Sequence, residues 1–235
     1  MGMIRIYRPI PAARLRLLVF DLDGTLIDSR KDLVESVNAV LVQLALPRQP
    51  EDAIASWVGD GAGKLIERAL VASDADLALL STALEAFLDY YREHKLDHTR
   101  VYPGVMESLA SLTRLLPVPM AVLTNKPVRP SQQICEALAL APYFFSIYGG
   151  NSFATKKPDP EGLRQLMDEA GATPEQTLMV GDSSVDILTA RSAGAWSLGC
   201  RFGLSPHTME QMEAEGLVNT VVDGAKEWAE AIGLR

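Results

Sequence analysis

Two patterns of apolar and polar positions take turns along this chain. Leu17-Leu18-Val19-Phe20 is a continuous apolar run, the length of one buried strand, and it stops at Asp21-Leu22-Asp23-Gly24-Thr25. Beyond Asp28 or Ser29, either of which can cap a helix, Leu33, Val37, Val40, Leu41 and Leu44 recur at helical spacing until Pro47. Leu65, Ile66, Ala69 and Leu70 repeat that spacing after a glycine-rich turn, Trp57 to Lys64. Between Asp74 and His94, Leu77, Leu80, Leu84, Phe87, Leu88 and Tyr91 do so once more. No convincing strand interrupts residues 30–96. Afterwards the pattern alternates: strands are predicted at 118–123, 144–148, 177–180, 195–198 and 220–222. Helices are predicted between and after them, through 105–112, 131–140, 161–170, 187–193 and 224–232.

This order predicts an α/β fold: a Rossmann-like, doubly wound, mostly parallel sheet with a small α-helical cap domain inserted just after the first strand. The expected boundaries are a loose N-terminal extension at 1–14, a core at 15–28 and 99–235, and the helical cap at 29–98. The two joints, near Ser29 and Thr99, should lie beside each other and beside Asp21 and Asp23, which is the geometry of a mobile lid.

Composition narrows the function classes. The 235 residues are 48% hydrophobic, enough for a sizeable core, and the formal charge of -8 offers no basic footprint for nucleic acid or an anionic membrane. Cys135 and Cys200 fit neither a disulfide framework nor a metal-binding spacing, so a reducing, cytoplasmic setting is expected. The stretch from Met1 to Arg14 has no apolar region followed by a cleavage site, and no segment is long and apolar enough to span a bilayer. The apolar positions of the cap fit a monomer or a homodimer.

Candidate chemistry collects at the strand ends. Two carboxylates one residue apart beyond a buried strand are costly unless a cation or a shared proton compensates them; read alone, Asp21 to Gly24 is either such a site or a polar turn. Thr124-Asn125 offers a hydroxyl and an amide to a phosphoryl or carboxyl oxygen, or forms only a turn. Lys156 reads as solvated surface, whereas Lys157, its backbone stiffened by Pro158, is the better cation to face carboxylates. Gly181-Asp182-Ser183 and Asp186 follow a fourth strand. In the cap, the turn holding Gly59 and Lys64 either lets two helices meet or presents N–H groups and an ammonium to an anion. It is not a Walker A loop, since its glycine spacing differs and Lys64 is not followed by Ser or Thr. Motifs at strand ends of one doubly wound sheet converge on one site. Asp21, Asp23, Asp182 and Asp186 make an oxygen-rich set without histidine or thiolate, which indicates Mg2+ rather than zinc.

With these four motifs the chain resembles the haloacid dehalogenase-like hydrolase superfamily. The resemblance implies Asp21 as a nucleophile that forms an aspartyl-phosphate and Asp23 as general acid, then base. It also implies Thr124 and Asn125 as phosphoryl binders, Lys157 as the neutralising cation, and Asp182 as a Mg2+ ligand. Asp186 would ligate the metal or orient its water, and the Asp21 carboxylate and Asp23 backbone carbonyl would complete the shell. An aspartate at the second position favours phosphoryl transfer over carbon–halogen cleavage, because a leaving alkoxide needs a proton and a halide does not. Leu26-Ile27-Asp28-Ser29, Val58-Gly59, Tyr102-Pro103-Gly104 and Ala190-Arg191 with Ala193-Gly194 extend the similarity to phosphoglycolate phosphatases and their close relatives. The implied reaction is 2-phosphoglycolate plus water to glycolate plus phosphate, on a small phosphorylated metabolite. Pyrophosphatase, sugar-phosphate or nucleotide phosphatase, and phosphomutase activities share the same motifs. A phosphate-sensing regulatory protein is the non-enzymatic alternative.

Overall fold

The computed structural model describes residues 3–234. Its strands are β1 (Arg5–Ile6), β2 (Leu17–Phe20), β3 (Ile27–Asp28), β4 (Arg100–Val101), β5 (Met120–Leu123), β6 (Ser146–Tyr148), β7 (Thr177–Gly181), β8 (Trp196–Cys200) and β9 (Thr220–Val222). Its helices are α1 (Arg30–Gln43), α2 (Glu51–Ser56), α3 (Ala62–Ala72), α4 (Leu80–His94), α5 (Val105–Leu115), α6 (Val128–Ala137), α7 (Glu161–Ala170), α8 (Ser184–Ala193), α9 (Pro206–Ala214) and α10 (Trp228–Ala231). Seven strands form one sheet in the order β1-β9-β8-β7-β2-β5-β6, parallel throughout except for β1 against β9.

Strand β2 lies inside the sheet between β7 and β5, which explains its unbroken apolar run: a parallel strand covered by helices on both faces has no solvent side. Alternation survives in where the side chains go. Leu18 and Phe20 pack with Leu109, Leu112 and Trp228 on one face, while Leu17 and Val19 meet Leu163, Leu166 and Met167 on the other. The chain leaves β2 for β5 on one side and returns to β7 on the other. The carboxyl ends of β2 and β7 therefore flank the point where strand order reverses, the usual ligand crevice of such a sheet.

The helices α1 to α4 bury a hydrophobic cluster of their own, built on Val37, Leu41, Ile54, Ile66, Leu70 and Phe87 and sharing no buried residue with the sheet clusters. The two chain crossings that join them to the sheet pair with each other: β3 and β4 form an antiparallel ribbon with Asp28 opposite Arg100. Asp32, almost wholly buried at the start of α1, fastens that ribbon. Its carboxylate accepts from the backbone N–H groups of His98 (2.9 Å) and Thr99 (2.8 Å) and from the Thr99 hydroxyl (2.7 Å).

The expectation of a loose extension at 1–14 is corrected for the described residues. Arg5 and Ile6 add an edge strand to β9, Tyr7 and Arg8 donate to the Asn219 carbonyl, and Ile10 is buried in the main cluster. Arg5 and Tyr7 both reach the Glu213 carboxylate, at 3.3 and 2.7 Å. Residues 1 and 2 lie outside the described chain. Among the described residues no helix is long and apolar enough to cross a membrane, and both cysteines are buried free thiols.

Candidate active site

Four loops at the carboxyl ends of β2, β5, β6 and β7 bring the predicted residues together. Asp21 is the first residue past β2, its N–H held by the Val180 carbonyl. Asp182 is the first residue past β7, and Asp186 lies on the first turn of α8, where its Oδ2 accepts from the N–H and hydroxyl of Ser183. Oxygen atoms of Asp21, Asp182 and Asp186 all fall within 4.8 Å of one another, and all three residues are buried.

One ammonium faces this trio. Lys157, buried on the loop before α7, donates to Asp21 Oδ1 at 2.7 Å and to Asp186 Oδ1 at 2.5 Å. Burial alone opposes its charge, but Asp186 and Asp21 outweigh that cost and hold its pKa above the ordinary lysine value. Burial likewise pushes the Asp182 carboxyl upward, and repulsion from Asp186 and Asp21 adds to it. Three buried carboxylates against one ammonium leave a surplus of negative charge that a divalent cation would neutralise. Glycines make room for the cluster: a β-carbon at Gly24 or Gly203 would overlap the Asp182 carboxylate, and one at Gly181 would overlap Asp186. Gly24 also holds φ +90°, a left-handed backbone that other residues resist. The Asp182 carboxylate is oriented by the Thr25 hydroxyl (3.2 Å) and the Leu204 N–H (2.8 Å). An all-oxygen, buried and preoriented donor set fits a hard divalent cation.

The Asp23 side chain points elsewhere. Its carboxylate accepts from the Ser29 hydroxyl at 2.5 Å and from Lys126 Nζ at 2.9 and 3.0 Å, so as a side chain it stands outside the trio. Asp21, Asp23, Thr124, Asn125 and Lys126 form one wall of a cavity, and Leu33, Val58, Gly59, Leu65, Phe87 and Tyr91 from the helices above form much of the other. Thr124 is buried at the end of β5. Asn125 spans three loops, its amide donating to the carbonyls of Gly59 and Lys157, both at 2.9 Å, while its Oδ1 is buried without a hydrogen-bond partner among the described residues.

Residues 18–200 match the family model described as haloacid dehalogenase-like hydrolase. The chain belongs to that family. It is 41% identical over 213 residues to a phosphoglycolate phosphatase of Pseudomonas putida, with 88% of this chain and 77% of that protein covered. A phosphoglycolate phosphatase of Neisseria meningitidis is 39% identical over 198 residues, covering 83% of this chain and 84% of its own length. A crystal structure described as a predicted phosphoglycolate phosphatase from Haemophilus somnus superposes with a TM-score of 0.86 at 32% identity, covering 92% of this chain and 97% of that one.

Within this haloacid dehalogenase-like hydrolase, Gly59 lines the cavity but Lys64 does not. The Lys64 ammonium lies 2.8 Å from the Glu67 carboxylate on the exposed side of α3. Lys156, read as solvated surface, instead donates to the Asp60 carbonyl and so bridges the loop before α7 to the helical insert. Two cavity residues escape a reading of sequence alone. Lys126 has the look of a turn residue before Pro127, yet it is buried against Asp23. Burial works against its charge, and Asp23 more than restores it. Tyr91 sits at an ordinary core position of α4, and only its contact with Lys126 Nζ, 4.6 Å from the ring centroid, marks it out. The available signal was slight: a lysine directly after a strand-end Thr-Asn pair.

Proposed function

We propose that this hydrolase is a Mg2+-dependent phosphatase that removes phosphate from 2-phosphoglycolate through an aspartyl-phosphate on Asp21. The observation that carries the reading is the Lys157 ammonium held between Asp21 and Asp186, inside a trio of carboxylates at the sheet's switch point. The relatives' names support the choice of ester.

The chain's own residues divide the chemistry. With Asp21 Oδ1 engaged by Lys157, Oδ2 attacks phosphorus while the bond from phosphorus to the leaving oxygen breaks. Asp23 gives that oxygen its proton, and Ser29 and Lys126 fix the direction of the carboxyl group. In the second displacement Asp23 takes a proton from water, the water oxygen bonds to phosphorus, and the acyl phosphate bond opens to restore Asp21. Thr124 and Lys157 face the phosphoryl oxygens. Asn125 ties its loop to Gly59 and to Lys157, which sets the width of the cavity. Asp21, Asp182 and Asp186, with the Asp23 carbonyl, would hold Mg2+, which when bound offsets negative charge on the transferring phosphoryl group.

The insert at 29–98 acts as a cap domain, closed here on the core through Asn125 to Gly59 and Lys156 to Asp60 and opening about the β3–β4 ribbon. Buried free thiols accord with work in a reducing cytoplasm, and the enzyme acts there on a small phosphorylated metabolite as a monomer or homodimer. Phosphate release measured with 2-phosphoglycolate, pyrophosphate, nucleotides and hexose phosphates tests the reading. The expected result is Mg2+-dependent hydrolysis led by 2-phosphoglycolate and abolished by chelator. Preference for another member of the panel, or release that survives chelation, would overturn it.

A further inference from the structure

Resting on the phosphoglycolate reading, we propose that Lys126 and Tyr91 together receive the carboxylate of the leaving group. The cavity would then select phosphate monoesters of short 2-hydroxy acids. Such a substrate brings two anionic ends. The phosphoryl end belongs with Asp21, Thr124 and Lys157, and Lys157 is already committed to Asp21 and Asp186. Among the described residues that line the cavity, Lys126 is the one cation. It stands beside the proton donor to the leaving oxygen, so it lies where the rest of the leaving group must pass.

Donors on both walls are ready for a carboxylate. Two Lys126 contacts go to the two Asp23 oxygens, and an ammonium has three protons to give. From the cap side, Tyr91 is 3% exposed, lines the same cavity, and buries its hydroxyl without a hydrogen-bond partner among the described residues. Unpartnered buried hydroxyls are uncommon, and the ring that carries this one lies 4.6 Å from the cation. Burial pushes the Tyr91 phenol up to about 12, so it remains a donor at neutral pH. A carboxylate bound here would pair with an ammonium from the core and a hydroxyl from the cap, which ties recognition of the leaving group to cap closure. The other cap side chains on this wall, Leu33, Val58, Ala62, Leu65, Phe87 and Leu88, are apolar and offer a second charge no side-chain partner. Lys64, the cation expected from sequence for this task, faces Glu67 instead.

The test compares 2-phosphoglycolate with 2-hydroxyethyl phosphate, in which CH2OH replaces the carboxylate, on wild type, Tyr91→Phe, Lys126→Met and Lys126→Arg, with thermal melts confirming that each variant folds. Tyr91→Phe removes one hydrogen bond to a charged group, so KM for 2-phosphoglycolate should rise roughly 10-fold and the preference for 2-phosphoglycolate over 2-hydroxyethyl phosphate should fall by a similar factor. Lys126→Met should slow both esters through Asp23, yet cut the preference for 2-phosphoglycolate roughly 100-fold, and Lys126→Arg should restore part of that preference. If wild type prefers 2-phosphoglycolate but Tyr91→Phe and Lys126→Met leave that preference unchanged, the carboxylate site is overturned while the phosphoglycolate reading stands. A wild type that hydrolyses neither ester, but does release phosphate from another substrate, overturns both.

Discussion

At the scale of single residues, two aspartates that are neighbours in sequence differ in surroundings and therefore in work. Asp21 meets Lys157 and the acidic trio; Asp23 meets Ser29 and Lys126. Asp21→Asn should therefore abolish turnover with the fold and ligand binding retained, as read by phosphate release alongside a thermal melt. Asp23→Asn should lower kcat by about 10²–10⁴-fold, the usual contribution of a general acid–base, with a smaller effect on substrates whose leaving group needs no proton. Gly24→Ala tests the metal set without touching a ligand. Its β-carbon would displace the Asp182 carboxylate from a backbone already at φ +90°, so the Mg2+ concentration for half-maximal activity should rise at least about 10-fold. An unchanged Mg2+ requirement would contradict the assignment of Asp182.

The motifs Asp21-Leu22-Asp23 and Gly181-Asp182 were legible in the sequence because each ends an apolar strand with groups that cannot stay buried unpaired, and Lys157 because Pro158 stiffens the loop that carries it. Lys126 and Tyr91 were not. Their importance comes from facing each other across two distant parts of the chain, and no local pattern records that meeting.

At the scale of elements, β3 and β4 are the least conspicuous strands and carry a large mechanical duty, since every motion of the cap must pass through their ribbon. Asp32 fastens it, and Asp32→Ala would leave buried N–H groups of His98 and Thr99 unpaired. A loss of about 1–3 kcal/mol of stability is expected in urea denaturation. Long helices and buried strands were readable from periodicity. Two-residue strands such as β1, β3 and β4 were not, because they owe their existence to a partner strand far away in sequence. The N-terminal strand is the sharpest instance: residues 1–14 look basic and proline-broken, yet Arg5 and Ile6 cover the edge of β9. Deleting residues 1–8 should lower Tm by roughly 2–8 °C and promote association through the bared edge, visible in a melt and in size-exclusion chromatography.

At the scale of the whole molecule, the sheet supplies the reacting groups and the helical insert supplies most of the apolar wall above them. Alternation of strand and helix predicted the first, and an uninterrupted block of helical periodicity predicted the second. What the pattern left open was which faces of the two parts meet, since that depends on the path of the ribbon and on contacts such as Asn125 to Gly59. Chemistry on the sheet and selection at the cap therefore meet where Lys126 of the core faces Tyr91 of the cap.

Covalent catalysis by Asp21 on 2-phosphoglycolate is tested by acid-quenching the enzyme during turnover with Mg2+ and mapping its peptides by mass spectrometry. One added phosphoryl group is expected on the peptide containing Asp21, released by hydroxylamine and absent from Asp21→Asn. Turnover of 2-phosphoglycolate with no phosphorylated peptide, or with the phosphoryl group on another residue, would contradict it.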